Sequence, residues 1–301
     1  MTDIILHHYP LSPYAEKARI ALGIKGLAWR SVIIPVIMPK PDLMPLTGGY
    51  RKTPVMQIGA DIYCDTQLIL RELERRFPEP TLYPGTSHGI ADGLAWWAER
   101  SLFNVAVGVV FAKVGDQTPQ AFRDDRGKFS GRDFDPQRMK AAEPTLLASF
   151  RAQLQWLDET VSGEQHFLFG DRPSAADCGL YHMIWFVRRS RADILAPFPA
   201  VLAWADRIAA IGHGAPTELD AQEALAIAKA AAPAPISAAH DANGPPLGQR
   251  VTVTADDSGR DPVTGELVSL STHEIVIRRS DSAVGDIAQH FPRVGFVLAG
   301  A

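Results

Sequence analysis

An apolar run at residues 4–6 stops at Tyr9-Pro10, and a helical spacing of Ala18, Ala21 and Leu22 begins directly after Ser12-Pro13. Two periodicities meeting across so short a junction dictate a strand that feeds a helix through a tight loop. Pro13 suits the first helical position, because its missing N–H is one that a helix start leaves unpaired anyway. Ser12 then stands at the cap, where free backbone N–H groups and the helix dipole favour negative charge. Ser12 is therefore either a plain helix cap or a hydroxyl that holds an anion, and only the rest of the chain can choose.

Residues 1–84 read as an α/β unit: a strand at 3–8, a helix at 13–23, and a near-continuously apolar strand at 29–36 that expects cover on both faces. Pro35, Pro39, Pro41 and Pro45 make the segment to Gly49 irregular. Residues 53–58 and 61–64 form a hairpin around Gly59-Ala60, and a helix follows Asp65 to about Phe77, with Leu68, Ile69, Leu73 and Phe77 on one face. From Ser87 to about Ala232 the patterns are helical, at 88–114, 136–161, 174–191, 199–211 and 218–231. Polar residues 117–135 read as a long loop over a cleft. Ser174-Ala175-Ala176-Asp177 is close to a capping box, with Asp in place of Glu. The expected organisation is thus an α/β domain at 1–84, an all-helical domain at 85–232, an Ala/Pro/Gly linker at 233–248 and a small β-rich appendage at 249–301. So few residues make a marginal core alone, so the appendage is expected to pack on the other domains or on a partner chain.

A formal net charge of −4 with 21% charged residues offers no basic field to recruit nucleic acid or an anionic membrane. Cys64 and Cys178 make no disulfide framework, no Cys/His set has metal-ligand spacing, and a reducing, cytoplasmic setting fits. The longest apolar run, 105–112, is well short of the roughly 20 residues a membrane span needs.

Residues 1 to about 230 resemble the cytosolic glutathione transferase family, a thioredoxin-like domain followed by an all-helical domain. Four segments carry the resemblance. The run from Tyr9 to Arg19 is similar to the family's first loop and helix, and Lys52-Thr53-Pro54-Val55-Met56 to its cis-proline segment. Asp65-Thr66-Gln67-Leu68-Ile69 is similar to its γ-glutamyl-binding turn, and Ser174-Ala175-Ala176-Asp177 to the capping motif of its second domain. Residues 248–301 have no counterpart in ordinary members.

The resemblance implies a serine-type site in which Ser12 holds the glutathione sulfur as thiolate, with Tyr9 as the rival donor. A thiol with pKa near ~8.5 is only a few per cent ionised at neutral pH, and a charge-assisted hydrogen bond worth roughly 1.5–3 kcal/mol lowers it by one to two units. It also implies a cis Thr53-Pro54 bond that presents the main chain of Val55 to the cysteinyl part. Asp65 and Thr66 would take the γ-glutamyl amine and carboxylate, although the family more often shows Glu-Ser here, and Lys52, with Arg51 second, the glycyl carboxylate. The resemblance further implies that glutathione enters as a substrate, that its partner is a small apolar electrophile held between the domains, and that the protein is a homodimer. Phe103, Val107, Phe111, Tyr181, Trp185 and Phe186 are the expected pocket residues, against the equal reading that they are helix core. Ala15 excludes the dithiol exchange that cysteines at 12 and 15 would host, and Cys64 reads as a packed thiol. The alternative function is a non-catalytic glutathione- or ligand-binding protein that keeps the transferase fold.

Overall fold

The computed structural model describes residues 3–85, 88–163 and 165–301; Ser87, where the helical run is expected to begin, lies outside them. The first unit is built from strands β1 (Ile5–His8), β2 (Ala28–Ile33), β3 (Val55–Ile58) and β4 (Asp61–Cys64) with helices α1 (Pro13–Ile24), α2 (Met44–Thr47) and α3 (Thr66–Arg76). β2 runs parallel to β1, as a crossover through α1 requires, and the β3–β4 hairpin turns at Gly59, whose φ of 62° favours glycine. Alternation along the strands sends Leu6, Met56 and Tyr63 into the core under α1 and α3, and Ile5, Val55 and Ile62 into a second core on the opposite face.

Helix α4 (His88–Trp97) passes through a π-turn at Ala98–Leu102 into α5 (Phe103–Val114), followed by α6 (Gln120–Ser130), α7 (Pro136–Val161), α8 (Ala175–Leu195), α9 (Pro199–Ala209) and α10 (Ala221–Ala230). α6 replaces the long loop expected at 117–135. Its inward stripe is Phe122, Asp125, Arg126 and Phe129, a helical spacing that apolar periodicity misses because charged residues fill half of it. Strand β5 (Ala215–Glu218), between α9 and α10, pairs parallel with β2 and is also unexpected. Its four residues are all exposed and include a proline, which an edge strand tolerates.

The appendage is β6 (Arg250–Ala255), β7 (Val263–Leu270), β8 (Glu274–Asp281), β9 (Gly285–Pro292) and β10 (Phe296–Gly300). These strands continue the first sheet, giving ten strands in the order β10-β6-β7-β8-β9-β4-β3-β1-β2-β5. β9 lies parallel to β4, Asp61 opposite Ala288 and Tyr63 opposite His290, so an edge that would otherwise expose unpaired N–H and C=O groups is covered.

His290 closes this seam. Its ring is buried, stacked on Tyr63 at 4.4 Å, with Nε2 3.1 Å from Asp61 Oδ1 and Nδ1 2.7 Å from Glu274 Oε1. Burial alone would lower its pKa, but the two carboxylates outweigh it and raise the value above 6.5. A raised folded-state pKa stabilises most below the unfolded value and loses that contribution as pH climbs through the folded one. The melting-temperature advantage of wild type over His290→Gln should therefore be largest near pH 6 and shrink towards pH 9. A pH-independent difference would disprove the charged seam.

Candidate functional site

β1 ends at His8, and the chain turns back so that Ser12 N–H reaches the Tyr9 carbonyl at 3.1 Å. Ser12 caps α1 in an extended conformation, its Oγ accepting the Ala15 N–H at 3.1 Å, with Pro13 in the first turn. The residue is only 2% exposed, and among the described residues no acceptor takes its hydroxyl proton. A donor is thus held at a helix N-terminus, an arrangement suited to an anion.

The start of α3 lies beside it. Lys17 of α1, itself buried, donates to Thr66 Oγ1 at 3.1 Å and pairs with Glu99 of the π-turn at 2.7 Å. Asp65 caps α3 by accepting the Gln67 N–H at 2.9 Å, and it does so at φ 74°, ψ 139°. A non-glycine residue in that region stores of the order of 1–3 kcal/mol, a strain that persists where function requires the geometry. Burial, with Glu99 nearby, raises the Asp65 pKa, which Lys52 and Lys17 partly offset.

The Thr53-Pro54 peptide is cis. Val55, expected to offer its main chain, sits inside β3 with His7 of β1 opposite it on one side and Cys64 of β4 on the other, so whichever strand its N–H and C=O face is already in place. Thr53, just before the strand, has the open main chain: among the described residues no hydrogen bond uses its N–H or C=O.

Both cations expected for a glycyl carboxylate already have acidic partners. Lys52 Nζ is 2.5 Å from Asp257 Oδ1 in the β6–β7 loop, and Arg51 pairs with Asp125 of α6 while lying 5.3 Å from the Phe129 ring centre. Sequence reading missed Lys40, which is buried and donates to Thr53 Oγ1 at 2.9 Å and to the Arg51 carbonyl at 3.1 Å. Burial, together with Arg126 and Arg51, pulls its pKa down to about 8. A lone lysine between Pro39 and Pro41 carries no sequence signal of this. The Tyr9 hydroxyl accepts from Arg126 Nη2 at 3.4 Å, as Ser12 Oγ accepts from the Ala15 N–H, and what distinguishes Ser12 is its seat at the N-terminus of α1.

The β6–β7 loop bridges the first domain, the π-turn and α6. Asp257 meets Lys52, Asp256 pairs with Arg100 at 2.5 Å, and Gly259 N–H donates to the Phe129 carbonyl at 2.8 Å. Between α5, α6 and α8, Phe103, Phe186, Phe111 and Phe122 make a half-buried aromatic wall with ring centres 5.9–6.2 Å apart, joined to the first turn of α1 by Tyr14 at 4.9 Å from Phe103. Tyr181 is instead buried against Trp204, and Trp185 lies under Arg19 and Arg189, so neither joins the wall.

The remaining candidates are structural. His7 bonds Gln57 and is lowered to about 4 by burial; His8 bonds Ser31 and Arg19 and is lowered to about 3 by burial and the guanidinium. Cys64 is fully buried, and burial pushes its thiol up to about 12.

Residues 6–81 match the family model of the glutathione S-transferase N-terminal domain, and residues 120–207 that of the C-terminal domain. A solved GST-like protein from Pseudomonas syringae is 41% identical over 100% of both chains, with a TM-score of 0.79. The chain belongs to the glutathione transferase family. Maleylpyruvate isomerase of Ralstonia sp is 22% identical over 200 residues, 66% of this chain and 88% of that protein. A glutathione S-transferase of Ceriporiopsis subvermispora, solved in complex with glutathione, shares the fold at 16% identity and a TM-score of 0.55, over 69% of this chain and 96% of that one. Unlike those two matches, the Pseudomonas syringae match runs through the five C-terminal strands of this glutathione transferase family member.

Proposed function

We propose that this protein binds glutathione with its sulfur at Ser12 and uses the thiolate in a transferase or isomerase reaction on a small electrophile between the domains. The observation that carries the reading is the Ser12 hydroxyl, which takes the Ala15 N–H at the start of α1 while its own proton stays uncommitted. Donation of that proton to sulfur, with the helix end behind it, is worth roughly 1.5–3 kcal/mol and brings a ~8.5 thiol towards neutrality. The thiolate gives its electron pair to an electrophilic carbon, either expelling a leaving group or adding across a double bond and leaving again after rotation. The name of the Ralstonia relative supports the second possibility.

In this reading the Thr53 main chain pairs with the cysteinyl unit, in place of Val55. Asp65 and the α3 N-terminus take the γ-glutamyl amine and carboxylate, Thr66 contributing from its position on Lys17. Lys40 takes the glycyl carboxylate, and Lys52 stands behind it paired with Asp257. The aromatic wall suits the apolar body of the second substrate. A homodimer is carried over from the family and is checked by light scattering. The two free, buried cysteines suit a cytoplasmic location. Among the described residues no helix is long and apolar enough to cross a membrane.

Calorimetry with S-methylglutathione, which has no ionisable thiol, tests the binding half. Because Lys40 titrates at about 8, affinity should be flat up to pH 7 and fall at higher pH, by at most tenfold per unit. Lys40→Met should weaken binding at pH 7 and flatten the profile. No heat at millimolar ligand would remove the reading.

A further inference from the structure

We infer that the second substrate carries a carboxylate and that Arg126 is the residue that selects it; this rests on the reading that glutathione fills the Ser12 site. The observation is an imbalance of charge where α6 roofs the first loop. Lys40, Arg51 and Arg126 converge there on a single carboxylate, Asp125. Asp125 Oδ1 is committed to Arg51 and to the Met38 N–H, and its Oδ2, buried without a hydrogen bond, is 3.8 Å from Arg126 Nη1. Among the described residues Lys40 has no carboxylate within ion-pair distance. Buried Lys40 is therefore left without a carboxylate and part-exposed Arg126 only shares Asp125 with Arg51, an excess of positive charge that anions arriving with the ligands would offset.

Glutathione supplies one such anion at this end, its glycyl carboxylate, and the geometry gives that to Lys40, which is tied to the Thr53 side chain. Arg126 belongs to the other substrate. Its guanidinium donates to the Val36 carbonyl at 3.1 Å and approaches Tyr9 Oη, and it stacks 5.0 Å from the Phe122 ring centre and 5.6 Å from that of Phe129. Phe122 is also the end of the aromatic wall, 5.9 Å from Phe111. An apolar body lying along the wall thus places its end group at a planar, part-exposed guanidinium that aromatic rings hold in position. Such a group matches carboxylate geometry in a way that a solvated lysine does not. The apolar electrophile expected from sequence becomes an amphipathic one, apolar along its length and acidic at one end.

The test uses two bisubstrate probes that differ only in charge, S-(4-carboxy-2-nitrophenyl)glutathione and its methyl ester, titrated calorimetrically into the full-length protein and into Arg126→Gln. The expected result is about a tenfold or greater preference of wild type for the acid, collapsing towards parity in Arg126→Gln. Lys40→Met should weaken both probes by a similar factor, because both retain the glycyl carboxylate. Equal affinity of wild type for the two probes, or a preference that survives Arg126→Gln, overturns the acidic substrate while leaving glutathione binding in place. If neither probe nor S-methylglutathione binds, the glutathione reading falls and takes this inference with it.

Discussion

Ser12→Ala should lower kcat/KM for glutathione conjugation by about 10- to 100-fold and move the ionisation of the bound thiol up by one to two pH units. Both follow from a single charge-assisted hydrogen bond worth roughly 1.5–3 kcal/mol. The shift in the pH profile separates this role from a structural one, since a merely loosened helix would lower the rate at every pH alike. Ser12 also caps α1, and losing a cap costs about 1 kcal/mol of stability, so a control is needed. Ser12→Asp restores a capping oxygen but sets a carboxylate against the sulfur; it should recover stability without recovering activity. Tyr9→Phe should have a small effect, because Ser12 and not Tyr9 stands at the N-terminus of α1 where the helix end favours the thiolate. Full activity in the Ser12→Ala, Tyr9→Phe double variant would remove both hydroxyls from stabilisation of the thiolate, whereas glutathione binding without any turnover in wild type is what the non-catalytic reading requires. A collapse in Tyr9→Phe alone would transfer the donor role to Tyr9.

The parts of this site that sequence reveals are those in which neighbours along the chain satisfy one another. Ser12 holds Ala15, Asp65 holds Gln67 and Ser174 holds Asp177, each within three residues, so each is visible as a local pattern at a helix start. What sequence conceals is set by partners far away. Lys52 meets Asp257 across 205 positions, and Arg51 meets Asp125 across 74. α6 hides for the same reason: Asp125 and Arg126 face inward only because the first domain supplies their counterparts. β9 carries Gln289 and His290 in buried positions, which looks unlike a central strand until Thr47, Asp61 and Glu274 are placed beside them. Arg260-Asp261-Pro262 and His290-Phe291-Pro292-Arg293 stand out in the sequence as stretches that either reach a ligand or lid the cleft, or, as the stronger expectation, serve a structural role. The first belongs to the loop that bridges the first domain, the π-turn and α6, while His290 in the second locks the added strands to the sheet.

The largest loss of stability is expected at Asp177, far from the sulfur site. Its side chain is fully buried and accepts four hydrogen bonds: Oδ1 from the Leu168 N–H at 3.0 Å and Trp204 Nε1 at 2.8 Å, Oδ2 from the Ser174 N–H at 2.9 Å and Ser174 Oγ at 2.6 Å. One carboxylate therefore joins the start of α8, the turn at residues 167–170 and α9. Asp177→Ala leaves three buried N–H donors unpaired, and breaking such a network should cost about 3–5 kcal/mol. For a chain of this size that amounts to a fall in melting temperature of roughly 10 °C. Asp177→Asn keeps the shape and one acceptor oxygen but turns an amide donor towards Ser174, so it should cost clearly less. Ser174→Ala removes the cap and one of the four donors to Asp177 but leaves the other three paired, and should cost about 1–2 kcal/mol. Urea denaturation of the three variants ranks them; if Asp177→Ala falls within 1 kcal/mol of wild type, the network is not what holds the helical domain together. Should Asp177→Ala fail to fold, the order of Asp177→Asn and Ser174→Ala still decides, because the network argument requires the asparagine variant to be the less stable of the two.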